Sequence, residues 1–333
     1  MQPPLRILRS VSDTLSIERD GRVMLVRVDN PPLNFMNRDM VRELDRLTRE
    51  LERDRGVGAV VITGAEPGLY VTHYDVAEIL DGVESVGVAP PPWLAGLMLR
   101  LAGGIRRVPG LRSAVMRTPL RGLLELRLIH DVFARMNRSD KVFIAAINGP
   151  ATGGGCELSL ACDLRYMADG DFPIGLPEMT MGFNPGAGGT QRLARLLGPG
   201  RALEMMIEGR TLDPGEALDA GVVHRVLAPE RLMEQSLAAA HRLARRSPVS
   251  VRGLKRAVYE GSSAPLERGL ASERKWFMAE AGEAGARRAM AAYVEQVEAE
   301  RAAPWADRER IRAWQDGAAA DMGSESPPED ESG

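Results

Sequence analysis

The run KVFIAAINGPATGGGCELSLACDLRYMA, residues 141–168, constrains this chain more than any other stretch. Val142 to Ile147 is almost wholly apolar and no longer than one strand, which predicts a strand buried on both faces. Asn148-Gly149-Pro150 ends it with turn chemistry. Gly153-Gly154-Gly155 follows. Cys156 to Arg165 then reads as a helix, because Leu158, Ala161, Cys162 and Arg165 recur at spacings of three and four. Strand, glycine loop and helix in succession bring a helix start to a place where no side chain blocks a ligand. The first amides of that helix lack intrahelical acceptors and lie at the positive end of its dipole. An oxygen that becomes negative during a reaction would be held there, and so would a phosphate. The spacing is neither G-x-G-x-x-G nor a P-loop, and no Lys-Ser/Thr pair follows, which argues against a nucleotide site.

Glu157 falls two residues after the last glycine, on the first turn of the expected helix. Glu178 follows in Gly175-Leu176-Pro177-Glu178, ahead of the glycine-rich run Asn184 to Gln191. Pro177 fixes the local backbone, and Glu178 is expected to open a short helical turn. Each glutamate alone is equally a dipole-complementing residue at a helix start. Together, beside glycine-dense loops, they form a pair able to hold one water and share proton transfer without a metal.

These motifs carry a resemblance. The runs IAAINGPATGGGCELSLACDLRYMA and GLPEMTMGFNPGAGGTQRLARLLGPGRALEMMIEGR, with the later AGVVHRVLAPERL, resemble the crotonase superfamily and within it the enoyl-CoA hydratase branch, over about residues 16–297. The resemblance implies an α/β spiral of ββα units followed by a C-terminal helical region that builds trimers or dimers of trimers. It implies an acyl-CoA thioester as substrate, with coenzyme A part of that substrate and no tightly bound cofactor or metal. Glu157 and Glu178 take the catalytic positions, and the amides of Tyr74 and Gly154 take the oxyanion hole. His73, Gly153, Pro185 and Gly186 take the substrate pocket, and Leu33, Asn34 and Asp75 lie beside the coenzyme A. Hydration of a 2-enoyl-CoA is the implied reaction. The alternatives are another crotonase-type enzyme (isomerase, thioester hydrolase or decarboxylase) and a non-catalytic member binding acyl-CoA or a partner.

The chain departs from the family pattern in four places. His73-Tyr74 stands where small residues are usual, so bulk enters the site. Tyr74 can still serve through its backbone N–H, while His73 is either an acid or base or a packing and hydrogen-bonding residue. One extra residue, in the segment Asp171-Phe172-Pro173-Ile174, separates Glu157 from Glu178 and would displace the second glutamate. Glu295-Gln296-Val297 stands where a basic contact to coenzyme A is common, which leaves Arg287 and the insertion arginines as substitutes. An insertion at about 82–122 holds Arg100, Arg106, Arg107, Arg112, Arg117 and Arg121, and no Asp or Glu occurs between Ser85 and Leu124. Three roles compete for it: a loop packing on its own chain, a lid whose arginines meet coenzyme A phosphates, and, least favoured, a membrane- or partner-docking patch over 85–124. Glycine and proline are expected to break any long helix there.

The remaining stretches fit the same plan. Residues 1–13 read as a flexible arm, without the apolar core of a signal peptide. Asp20-Gly21 marks a hairpin between Leu15–Glu18 and Val23–Val28. Asn37 caps a helix to about Asp54, and Val57–Thr63 is a buried strand, so crossover units with a parallel sheet follow. The core is expected over 14–208, the helical region over 209–316, and a disordered acidic tail over 317–333. His130, His224 and His241 lack metal-ligand spacing and read as structural. A net charge of −3 carries no basic excess for nucleic acid. Cys156 and Cys162 lie too far apart along one predicted helix to bridge easily, which predicts a reducing, cytoplasmic compartment.

Overall fold

The computed structural model describes residues 6–9, 14–86, 90–105 and 121–317. Strand β1 (Arg6–Arg9) pairs antiparallel with β2 (Leu15–Asp20), and β2 pairs antiparallel with β3 (Val23–Val28) across the Asp20-Gly21 turn. The expected arm over 1–13 therefore carries a strand. Backbone pairing alone recruits it, because the open edge of β2 presents unpaired N–H and C=O groups. Helix α1 (Arg38–Leu51) follows, with the Asn37 side chain accepting from the Met40 amide at 2.9 Å. Strand β4 (Ala59–Gly64) then pairs parallel with β3.

Helices α2 (Val76–Val86), α3 (Pro92–Ile105) and α4 (Arg121–Arg138) lead to β5 (Val142–Ile147), which pairs parallel with β4. The expected breaks inside the insertion are only partly present. Pro92 starts α3, where its missing N–H is harmless, but α3 runs on through Gly103-Gly104. A helical glycine costs about 1 kcal/mol, which packing against α4 can offset. Arg106, Arg107, Arg112 and Arg117 lie outside the described residues, as does the expected tail beyond Gly317.

After β5 come β6 (Ala151–Thr152), α5 (Gly154–Ala161), β7 (Leu164–Ala168) and β8 (Ile174–Gly175). The predicted helix over Cys156–Arg165 is shorter than expected. Cys162 turns extended, and Arg165 sits in β7, buried, with Nε donating to the Val222 carbonyl at 2.6 Å. A 3-10 turn (Glu178–Met181), α6 (Gly189–Leu197), α7 (Pro199–Glu208), β9 (Thr211–Leu212), α8 (Pro214–Asp219) and β10 (Arg225–Leu227) follow. The larger sheet runs β1-β2-β3-β4-β5-β7-β10, and β6-β8-β9 form a smaller one. β9 and β10 thus tie residues beyond 208 into both sheets, so the expected boundary there is crossed by strand pairing.

Alternate side chains of the central strands enter two cores. Met24, Val26, Val60, Ile62, Phe143 and Ala145 face one, with α1 and α4. Val23, Leu25, Ala59, Val61, Ile144 and Ala146 face the other, which α9 (Pro229–Leu243) covers. Covering both faces is why these strands read as unbroken apolar runs rather than alternations. Helices α10 (Pro248–Tyr259), α11 (Leu266–Ala281), α12 (Ala284–Glu300) and α13 (Arg310–Gln315) complete the chain. The buried Lys255 pins α10 beside β5, donating to the Lys141 carbonyl and to Asp163, each at 2.7 Å. Among the described residues no helix is long and apolar enough to cross a membrane.

Candidate active site

Gly153, at φ 48° and ψ −119°, turns the chain from β6 into α5, in a conformation that favours glycine. Gly155 is demanded by contact: a Cβ there would lie 1.8 Å from the Val71 carbonyl oxygen. A Cβ on Gly154 would lie 3.1 Å from the amide nitrogen of Tyr74. The helix start is therefore pressed against the backbone of residues 71–74. Thr152 reinforces the contact, donating to the Thr72 carbonyl through its amide at 2.7 Å and its hydroxyl at 2.9 Å.

On the other side, residues 73–75 bridge to Met36. The Met36 amide donates to the His73 carbonyl, and the Asp75 amide donates to the Met36 carbonyl, both at 2.8 Å. Amides alternate in direction along an extended backbone, so the Tyr74 N–H turns away from Met36 and toward the helix start. Among the described residues no acceptor is paired with the amide of Tyr74 or of Gly154. Both residues line a cavity of about 570 Å³. Two open donors at the positive end of a helix can stabilise an oxygen that gains charge.

Both predicted carboxylates face this cavity. Glu157 is 3% exposed, and its Oε1 accepts from the amides of Ala187 and Gly189, each at 2.7 Å. A Cβ on Gly189 would lie 2.8 Å from Leu176 and 3.0 Å from that oxygen. The glycine-rich run over 184–191 thus clamps Glu157 through its amides. Burial lifts the Glu157 carboxyl to about 7, against the pull of the two amides and with a contribution from the charge of Glu178. Glu178 opens the 3-10 turn and is 7% exposed. Its Oε1 lies 3.1 Å from where a Cβ on Gly153 would be, its Oε2 is buried with no partner among the described residues, and burial raises its pKa as well. The extra residue before Glu178 does not displace it. Ahead of it the Ala151 amide donates to the Pro173 carbonyl at 2.9 Å and β8 pairs with β6, and Glu178 still lines the cavity.

The two bulky residues do not fill the cavity. The Tyr74 ring lies along one wall, its hydroxyl donating to Glu78 Oε2 at 3.0 Å. His73 stacks on Phe35 with ring centroids 4.2 Å apart, and its Nδ1 lies 2.7 Å from the Tyr74 carbonyl, which sets that nitrogen as a donor. This is an orienting role for the imidazole. Among the described residues no cluster of three or more His, Cys, Asp or Glu is arranged to hold a metal ion.

The remaining expected positions divide. Gly186 lines the cavity, whereas Pro185 is buried behind it. Asn34 lies outside the cavity lining, and its side chain is buried and committed to the Asn30 amide and to the carbonyls of Val28 and Tyr70. Asp75 accepts from the Ala77 amide at the start of α2, and Leu33 is 52% exposed, both outside the cavity wall. Arg287 is exposed on α12 and also outside it. His224 accepts from the Arg165 amide, and His241 lies 3.1 Å from Asp20, both far from any cavity role. Sequence reading missed the ion pairs of Arg38 with Glu78 and Glu125 on the cavity wall, and with Asp81 beside it. The four-residue step from Tyr74 to Glu78 was the available signal.

The family described as enoyl-CoA hydratase/isomerase matches residues 127–308. A probable enoyl-CoA hydratase of Rhizobium meliloti is 33% identical over 289 residues, 86% of this chain and 97% of that one. The short-chain-enoyl-CoA hydratase of Clostridium acetobutylicum is 30% identical over 262 residues, 78% and 87% of the two chains. Among solved structures, a Geobacillus kaustophilus enoyl-CoA hydratase superposes with a TM-score of 0.72 at 25% identity, over 87% of this chain and 97% of that chain. A second form from that organism gives 0.69 at 30% identity, over 86% and 97%. With its glycine-opened helix, its two-sheet core and these relatives, the chain belongs to the enoyl-CoA hydratase/isomerase family, in the crotonase superfamily.

Proposed function

We propose that this protein is an enoyl-CoA hydratase, a hydro-lyase adding water across the double bond of a 2-enoyl-CoA thioester. One observation carries the reading: two buried carboxylates face the same cavity as two amides that have no acceptor among the described residues. The thioester oxygen lies between the amides of Tyr74 and Gly154. Ionised Glu157, held by Ala187 and Gly189, takes a proton from water as the water oxygen bonds to the β-carbon. The double-bond electrons move onto the thioester oxygen, where each amide contributes roughly 3 kcal/mol to the enolate-like transition state. The enolate then collapses, and its α-carbon takes the proton of Glu178. Transfer from Glu157 back to Glu178, directly or through solvent, resets the pair. Coenzyme A enters only as part of the substrate, and the chemistry asks for no resident cofactor.

The names of the relatives support hydration over the family's other reactions. We also infer a homo-oligomer, a trimer or a dimer of trimers. Leu266, Phe277 and Met278 on α11 are 74%, 66% and 72% exposed in the single chain, which supports a covered helical face. Glu157→Gln and Glu178→Gln, made singly, are expected to lower kcat for crotonyl-CoA by about 100-fold or more each, within the range of general acid–base contributions. Rates close to wild type in both variants would refute the assignment.

A further inference from the structure

Most of the cavity wall is apolar, with Val41, Ile79, Val83, Met98, Leu126 and Ile129 among its lining. One part is not. Arg38, Glu78, Glu125 and the Tyr74 phenol meet there. Tyr74 fixes where this polar patch lies: its amide faces the expected thioester oxygen, and its hydroxyl reaches the patch. The two are separated by the length of one tyrosine side chain. An extended hexanoyl chain starting at the thioester has about that reach.

The donors of the patch are largely committed. Arg38 Nε lies 2.8 Å from Glu125 Oε2, Nη1 lies 3.3 Å from Asp81, and Nη2 donates to the Glu78 carbonyl at 2.8 Å. Glu125 is matched on both oxygens, its Oε1 taking Arg42 at 2.9 Å. Glu78 Oε2 accepts from the Arg38 amide at 2.9 Å and from Tyr74 at 3.0 Å. Among the described residues no donor is paired with Glu78 Oε1, and the Tyr74 oxygen has lone pairs to spare. The patch therefore offers acceptors. Glu78, Glu125 and Asp81 also outnumber the two guanidiniums they meet, those of Arg38 and Arg42, so added negative charge is unwelcome.

We propose that the acyl subsite selects a chain whose far end donates a hydrogen bond, a hydroxyl in the first instance, and that Glu78 Oε1 with Tyr74 Oη receives it. A plain alkyl end dehydrates Glu78 and returns no bond. A terminal carboxylate meets like charge. The inference rests on the proposed function only in requiring that an acyl-CoA thioester occupy the cavity.

The test is calorimetric titration of the full chain with three saturated thioesters: hexanoyl-CoA, 6-hydroxyhexanoyl-CoA and adipoyl-CoA. The expected order is 6-hydroxyhexanoyl-CoA tightest, by about tenfold over hexanoyl-CoA as for a hydrogen bond to a charged group, with adipoyl-CoA weakest. Glu78→Gln places a donor where the acceptor was, so the hydroxyl preference shrinks and adipoyl-CoA gains. Tyr74→Phe reduces the preference while keeping the Tyr74 backbone amide. Hexanoyl-CoA binding as tightly as its hydroxylated partner overturns the inference and leaves the acyl-CoA reading intact. A hydroxyl preference that persists undiminished in both variants also overturns it. Failure of all three thioesters to bind removes both.

Discussion

Glu157→Gln should make this protein more stable while disabling it. The Glu157 carboxyl rises from an ordinary 4.5 to about 7 in the fold, chiefly through burial. The folded chain thus holds that proton more tightly than the unfolded chain. Stability is fully present below pH 4.5 and is lost as pH rises toward 7, where ionising a desolvated group opposes folding. At 1.36 kcal/mol per tenfold change in proton affinity, the rise amounts to about 3 kcal/mol at pH 8.5 and about 1 kcal/mol at pH 5.5. A glutamine keeps one oxygen for the amides of Ala187 and Gly189 and carries no charge to desolvate. With an unfolding entropy of ~2.1 cal/mol/K per residue, the variant should melt about 4 °C above wild type at pH 8.5 and about 1 °C above it at pH 5.5. Differential scanning calorimetry at the two pH values, with crotonyl-CoA hydration alongside, makes the measurement. A variant that melts below wild type at pH 8.5, or an advantage that does not shrink at pH 5.5, would show that Glu157 is not held at a desolvation cost.

Three further outcomes are expected. kcat/KM for crotonyl-CoA should fall as pH drops through about 7, because the ionised base is lost; that limb belongs to the Glu157–Glu178 pair, and a flat profile from pH 5.5 to 8 speaks against it. Gly155→Ala forces a methyl onto the Val71 carbonyl and pushes the two amide-bearing segments apart, so kcat should drop at least about tenfold, with about 2 kcal/mol lost in urea unfolding. Lys255→Met strands Asp163 in a mostly buried site and should cost about 3 kcal/mol; adding Asp163→Asn should restore much of it, and no restoration would mean that the ion pair is not the cause.

The parallel units, the hairpin at Asp20-Gly21 and the cap at Asn37 were legible because each is written locally, in a period, a turn pair or a capping side chain. Glu157 and Glu178 were legible as a pair because glycine-dense loops flank both. What escaped reading depends on partners distant in the chain. β1 forms only because β2 has an open edge. β7 starts within the last two residues of the helix expected over Cys156–Arg165, since its short buried run supports either period until β5 lies beside it. Asn34 is expected beside the coenzyme A of the substrate, yet the carbonyls that its side chain meets come from residues 28 and 70. The clamp on Glu157 uses main-chain amides 30 and 32 residues away, which no side-chain pattern announces.

The contact between Gly155 and the Val71 carbonyl separates two jobs that usually compete. Because the Thr152 and Met36 peptide groups, the Thr152 hydroxyl and the His73 imidazole hold this backbone in place, residue 74 can exchange its side chain without disturbing the amide it would lend to the proposed reaction. Its ring is free to shape the far wall, and here it does so through Glu78. A scaffold of this kind can acquire new acyl preferences by point substitution at 74 or 78 while its chemistry stays fixed.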